Sequence, residues 1–258
     1  MRPYTLVILS DTHYGDVYGL VNPAEVRTEY KGFARILFKW YVAQIKDIGK
    51  VDHILHLGET TEGPGKKSTL ELFETDMHAQ GCGAAELLMM WDCPKYSLCY
   101  ASKYHSGNEA KTERTVVDRL IMGGRQADIR GIQKLLIRGV RINAKHKVGG
   151  SSVPYGDPSQ AAKTATNDIV RAWGRGYEPA DWYFRGHIHK YWHVENDSFH
   201  VVINPAMKWP LGEYGYQLDS PYYSMGFSVL KIWNRDRVDF ERRQLKVKLP
   251  EEAYVTVE

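Results

Sequence analysis

Hydrophobic positions recur along the chain in two rhythms. Residues 4–9 form a short apolar run that turns polar at Ser10, the pattern of a buried first strand. Over 33–48, Phe33, Ile36, Leu37, Trp40, Tyr41, Ile45 and Ile48 return every three or four residues. That spacing predicts one amphipathic helix, opened by Asn22 and Pro23 as cap and first residue and closed by Gly49. "VDHILHL" (51–57) predicts a second strand, 68–90 a helix weakened by Gly81 and Gly83, and 96–100 a third strand. "KTERTVVDRLIMGG" continues the series with another helix. The order β-α-β-α-β implies parallel strands joined by crossover helices.

The pattern then changes. "KLLIRGVRINAKH" (134–146) predicts a hairpin turning near Gly139, and "DPSQAAKTATNDIVRAWGRG" a helix with an Asp-Pro start. "WYFRG", "YWHVENDSFHVVIN" turning at Asn196 and Asp197, and "YSMGFSVLKIWNRDRVDFERRQLKV" turning at 234–236 supply further strands, richer in antiparallel pairing. No repeat, low-complexity tract or linker divides the 258 residues, so 1–258 is expected to be one domain.

Composition narrows the function classes. A charged fraction of 25% and a hydrophobic fraction of 43% are those of an ordinary globular chain. The formal charge of +3 permits a phosphate-bearing ligand but is too small for a nucleic-acid footprint by itself. Three cysteines without CxxC spacing (Cys82, Cys93, Cys99) indicate neither a disulfide framework nor a thiolate zinc knuckle, and point to a reducing, cytoplasmic setting. The first apolar run has the character of a strand and not of a leader, and no stretch approaches the roughly 20 apolar residues that span a bilayer.

Candidate chemistry collects where strands end. The first strand is followed by Asp11 and His13, the second by Glu59 and Glu62, the third by His105, Asn108 and Glu109, the hairpin strand by His146, and "WYF" by His187 and His189. Each fragment alone fits a turn or a solvated loop. Five strand ends made polar in the same way, at the carboxyl ends of an α/β sheet, indicate a shared site. Two carboxylates with three or more imidazoles suit Mn, Fe, Zn or Co and disfavour an all-oxygen calcium cage. His53, His56, His78, His193 and His200 lack this placement and are expected to be structural or surface residues.

In order, "SDTH", "LGETTEG", "KYHSGNE", "AKHKVGG" and "RGHIHK", followed by "INPA" at 203–206, resemble the calcineurin-like metallophosphoesterase superfamily. The resemblance implies two mixed β-sheets packed face to face as a sandwich flanked by helices. It implies that Asp11, His13 and His189 hold one metal and His146 and His187 a second, with Glu59 as the bridging acid and a bridging hydroxide attacking phosphorus. Two divalent transition ions are implied, manganese first, with Fe, Zn, Co or Ni as alternatives. The third motif departs from the usual Gly-Asn-His-Asp/Glu. Either Asn108 is an amide ligand whose histidine is lost, or Ser102 and His105 match the Gly-Thr-x-x-His variant of phage-type and prophage-type members, the register favoured by "HSG" and Gln80. His105 then contacts the leaving group as the catalytic residue, and Asn108 remains a further candidate metal ligand. Glu59 is one methylene longer than the family's aspartate, so Glu59→Asp is expected to keep or raise activity.

A phosphoester hydrolase is therefore expected, a phosphodiesterase or nuclease ahead of a monoesterase phosphatase. The aromatic segment 208–223 offers a stacking rim for a nucleic-acid substrate. The alternative is the same fold with an impaired site, acting as a non-catalytic binding module. No membrane partner is expected.

Overall fold

The computed structural model describes residues 2–64, 71–149, 156–212 and 223–247. In chain order the elements are β1 (Tyr4–Leu9), α1 (Lys31–Ile48), β2 (His53–His56), α2 (Met77–Met89), β3 (Lys95–Cys99), the single turn α3 (Lys103–Ser106), α4 (Lys111–Met122) and β4 (Gln126–Arg130). The second half adds β5 (Gln133–Ile137), β6 (Val140–Lys145), α5 (Asp157–Gly174), β7 (Trp182–Arg185), β8 (Trp192–Asn196), β9 (Phe199–Ile203), β10 (Met225–Asn234) and β11 (Arg237–Leu245).

Two mixed sheets result, as the family resemblance implies. One runs β11-β10-β1-β2-β3-β4, with β1 to β4 parallel and the β10–β11 hairpin antiparallel at its edge. The other runs β5-β6-β7-β9-β8, with β6, β7 and β9 parallel between two antiparallel edge strands. Strand alternation divides the apolar residues between layers. Leu6 and Ile8 of β1 face Ala144, Phe184 and Val202 of the second sheet, while Val7 and Leu9 face Leu37, Tyr41, Leu88 and Val116 on the helices. Being covered on both faces is why β1 is a continuous apolar run. Helix α5 covers the outer face of the second sheet through Ala161, Ala165 and Ile169 against Tyr183 and Val201. Among the described residues no helix is long and apolar enough to cross a membrane.

Three expectations shift. The first helix begins at Lys31, not at Asn22: the Asn22 Oδ1 accepts from Ala24 N in a local turn, and Val21 and Val26 are buried in an irregular segment packed on the core. The helix foreseen over 68–90 begins at Met77, with the Asp76 carboxylate capping Ala79 N. Ahead of it, Phe73 N donates to Gly15 O, and its ring lies against Tyr14, so tertiary contacts hold that stretch out of the helix. Gly83 does not merely weaken α2: a Cβ there would lie 2.1 Å from the Tyr14 ring, so the glycine permits the helix to close on the loop after β1. Strand β4 has no apolar alternation strong enough to announce it in the sequence.

Helix α4 carries a buried acid. Glu113 is fully enclosed, its Oε2 accepts from Thr112 Oγ1, and its Oε1 has no hydrogen-bond partner. Burial pushes the carboxyl from 4.5 up to about 7. The folded chain thus keeps a proton that the unfolded chain releases, and this contribution to stability is complete below pH 4.5 and lost as pH rises through about 7. Glu113→Gln is expected to leave the metal-free protein's melting temperature nearly unchanged at pH 4 and to raise it at pH 8, by up to roughly 3 kcal/mol of stability. Thermal melts at the two pH values check this; equal shifts at both would show that the acid is not neutral in the fold.

Candidate metal centre

The parallel strands deliver their polar ends to one edge of the sandwich. Asp11 and His13 follow β1, Glu59 and Glu62 follow β2, Ser102 and His105 follow β3, His146 follows β6, and His187 and His189 follow β7. The local backbone is unusual there: Asp11, His13, Glu59, His187 and His189 all adopt left-handed φ values between 48° and 80°. Each such residue costs on the order of 1 kcal/mol, and side chains of this kind persist in that region where surrounding contacts hold them. Gly186 is required by closeness, since a Cβ at that position would lie 2.2 Å from Ser10 Oγ and 2.9 Å from Asp11 Oδ2.

Two groups of ligand atoms that share Glu59 form here, beside a third made of His13, Glu62 and His105. Asp11, His13, Glu59 and His189 bring one atom each within 4.8 Å of one another, and Glu59, His146 and His187 do the same. In the first group His13 Nε2 lies 3.2 Å from His189 Nε2 and 3.4 Å from Glu59 Oε2, and His189 Nε2 lies 3.3 Å from Asp11 Oδ1. In the second, His146 Nε2 lies 3.2 Å from His187 Nδ1 and 2.9 Å from Glu59 Oε1, with His187 Nδ1 3.7 Å from the same oxygen. An ion bonded at about 2.0–2.2 Å sets neighbouring ligand atoms roughly 2.8–3.6 Å apart in tetrahedral or octahedral geometry. Most of these separations fall in that interval.

Hydrogen bonds outside the groups decide which atoms face inward as acceptors. His13 Nδ1 meets the Glu62 carboxylate at 2.7 Å, which fixes the proton on Nδ1 and leaves Nε2 as a lone pair. Tyr223 donates its hydroxyl proton to Lys208 O at 2.8 Å and so accepts from His189 Nδ1 at 2.9 Å, again leaving Nε2 bare. Asp11 Oδ2 accepts from Ser10 Oγ and His187 N, while its buried Oδ1 accepts no hydrogen bond and lies 3.3 Å from His189 Nε2. Four acceptors therefore converge in a space from which water is largely excluded, an arrangement that a cation satisfies and neutral packing does not. The donor set, imidazole nitrogens with carboxylate oxygens, fits a divalent transition ion.

The same convergence shows in the charges. Burial opposes ionisation of Glu59, yet His146, His13 and His187 hold its carboxyl well below the usual range. Burial likewise opposes Asp11, and His189 and His146 outweigh it. Burial and Lys208 lower His13, but Glu62 and Glu59 more than reverse this, raising it to about 9; burial lowers His146, and Glu59 and Asp11 raise it to about 9. Protons thus take the place of a cation when none is bound, and metal binding must displace them.

His105 sits on α3 with Nδ1 2.6 Å from Glu62 O, a carbonyl that can only accept, so Nε2 is the nitrogen turned to the site, 4.0 Å from Glu59 Oε1. Burial holds this imidazole below its ordinary value. Asn108 is exposed on the short turn after α3 and makes no hydrogen bond to the grouped residues. His56, buried behind the site, bonds Gly58 N and Thr12 Oγ1, and burial depresses it to about 3, so it is a neutral support.

No protein-family model matches the chain, and no curated protein matches it. Solved structures similar to it include an archaeal phosphodiesterase (12% identity, 93% of this chain and 99% of that one, TM-score 0.49). A single mutant of Vps29 from Entamoeba histolytica (12%, 94% and 99%, TM-score 0.46) and a predicted phosphoesterase from Streptococcus pneumoniae (12%, 94% and 99%, TM-score 0.41) are also similar.

Ser102, named with His105 in the third motif, reaches Glu59, whereas Lys208 and Asp16 escaped sequence reasoning as site residues. Ser102 Oγ donates to Glu59 Oε1 at 2.7 Å. Lys208, buried between Asp16 and Glu62, bonds both carboxylates, reaching Glu62 Oε2 at 2.9 Å. Burial alone would depress its ammonium, and the two acids hold it above its ordinary value. The chain Lys208–Glu62–His13 links residues whose spacing in sequence has no period, and no local signal could have found it. Lys208→Ala leaves two acids buried without their cation. It is expected to cost about 3–5 kcal/mol in chemical denaturation and to weaken metal binding about 10- to 100-fold through Glu62 and His13. Unchanged stability would show that the acids are not held as ions.

Proposed function

We propose that this chain hydrolyses phosphoric esters, diesters ahead of monoesters, at a dinuclear centre of divalent transition ions. The observation that carries the reading is the division of one carboxylate: Glu59 Oε2 faces His13, and Glu59 Oε1 faces His146 and His187. A carboxylate shared in this way would be held in common by two cations, which when bound would supply Lewis-acid polarisation of the phosphoryl group and a more acidic attacking water. Asp11, His13 and His189 would hold the first ion, and His146 and His187 the second. Glu62 and Tyr223 fix the tautomers of His13 and His189 from behind. Ser102 orients Glu59, and His105 turns Nε2 toward the leaving oxygen; with Nδ1–H bound to Glu62 O, the ring would give a proton from Nε2 only as the imidazolium. Manganese is the first candidate metal, and a cytoplasmic setting remains part of the reading.

Two things support diester preference: the basic balance of the chain, and the aromatic segment 208–223 that adjoins the site through Tyr223. Residues 213–222 of that segment lie outside the described residues. Assays with Mn²⁺ on bis(p-nitrophenyl) phosphate, p-nitrophenyl phosphate, and single- and double-stranded DNA test the reading. About two equivalents of transition metal, lost to chelator together with diester turnover, are expected. Monoester turnover alone would reverse the substrate assignment, and a metal-free, inert protein would make the fold a non-catalytic binding module.

A further inference from the structure

A second convergence of ligand atoms lies at the opposite end of β7, beside its first residue, Trp182. Glu195 of β8 stands directly across from His200 of β9, and His193, two residues from Glu195, shares its face. That face turns toward the other sheet, since Val202, two residues beyond His200, lies in the inter-sheet core. Trp182 pairs with His200 across the β7–β9 ladder, and the two rings stack at 4.0 Å and 11°. His193 lies over the same indole at 5.9 Å and 24°, with Phe240 of β11 5.0 Å away. One buried indole therefore holds both imidazoles nearly parallel to it, with their edges turned to Glu195.

The three facing atoms make an almost equilateral triangle. His200 Nδ1 is 3.1 Å from Glu195 Oε2, His193 Nε2 is 3.4 Å from that oxygen, and the two nitrogens are 3.3 Å apart. Four-coordinate zinc with bonds of about 2.0–2.1 Å has ligand–ligand edges of roughly 3.3–3.4 Å, so the triangle is close to one face of such a tetrahedron. Hydrogen bonding alone serves the trio poorly: if both imidazoles donate to the one oxygen, their two N–H groups crowd each other. We propose that His193, Glu195 and His200 bind a single divalent ion of the zinc class, with a fourth position open to solvent on the side of the 60% exposed Glu195 carboxylate. Two imidazoles with one carboxylate suit zinc, cobalt or nickel and disfavour calcium and magnesium.

The ion fastens β8, the edge strand of its sheet, to β9. Binding free energy at such a clip becomes stability of the hairpin, and an edge strand is where a sheet has least of its own. The proposal would give His193 and His200, expected from the sequence to be structural or surface residues, a ligand role, and it is independent of the proposed phosphoesterase activity.

Zinc stoichiometry provides the test, measured by calorimetric titration and by elemental analysis after gel filtration. In a background carrying Asp11→Asn and His146→Gln, which weakens the dinuclear ligand groups, one equivalent of zinc is expected to remain. Adding His193→Gln and His200→Gln is expected to abolish it. In the otherwise native chain the same two glutamines should remove one equivalent and leave any diester turnover in place. Should the double variant fail to fold, Glu195→Gln, at an exposed side chain, gives the same readout. Equal zinc content with and without Glu195 and the two histidines, in folded protein, would overturn the site and leave only a hydrogen-bonded trio.

Discussion

Glu59→Gln is expected to lower turnover of a phosphodiester by more than about 10²-fold and to reduce bound metal by about one equivalent. The amide keeps the length of the side chain, so the loop after β2 need not move. What it loses is the charge that both ligand groups share, one oxygen toward His13 and the other toward His146 and His187. Its NH₂, if turned to that side, also presents protons where Ser102 Oγ–H now donates to oxygen. The geometry further changes what to expect of Glu59→Asp, which the family pattern alone would make neutral or favourable. With the backbone of Glu59 held at φ 56° and Glu59 O bonded to His13 N, shortening the side chain draws its carboxylate back by about one bond length, roughly 1.5 Å. Misplacement of about 1 Å costs on the order of 10²-fold in rate, so the aspartate variant is expected to keep one metal and lose most activity. Elemental analysis and steady-state kinetics at saturating Mn²⁺ separate weak binding from poor geometry. Full turnover with both metals in Glu59→Gln would remove the bridge and the dinuclear reading with it.

His105→Ala is expected to lower kcat by about 10²- to 10⁴-fold while metal content stays constant. The Nδ1 contact to Glu62 O orients the ring, and Nε2 is the atom it presents to the site. The ring also lies edge-on to His13 at 4.8 Å, so metal content must be measured beside the rate. A fall in metal would assign His105 a ligand role. An unchanged rate would mean that the third motif has another register, with Asn108 the next residue to replace.

Much of this arrangement is legible along the chain. Runs such as 4–9 and 51–57 announce buried strands because both of their faces are covered, and the turns at Gly139, Asn196 and 234–236 announce hairpins because their residues favour tight reversals. The polar residues after each strand are visible as candidates for the same reason: parallel strands must all end on one edge. The boundaries that shifted, at Asn22 and over 71–76, lie where local capping signals compete with contacts made far away, Phe73 with Tyr14 and Gly15 among them; 68–70 lie outside the described residues.

Other features needed the folded chain. Residue types name Asp11, His13, Glu59, His146, His187 and His189 as metal-ligating chemistry, but whether two atoms lie 3.2 Å apart depends on sheet register and on left-handed backbone that composition does not encode. Which nitrogen of His13 or His189 faces inward is set by Glu62 and Tyr223, and these partners come from distant loops. Lys208 reaches Asp16 and Glu62 across 192 and 146 residues. The trio His193, Glu195 and His200 is the sharpest contrast: its three residues are close in sequence, yet only a hairpin register and the indole of Trp182 turn them toward one point. Patterns along a chain report solvent exposure and local preference, which act residue by residue, whereas a site is a set of distances, and distances are fixed by packing.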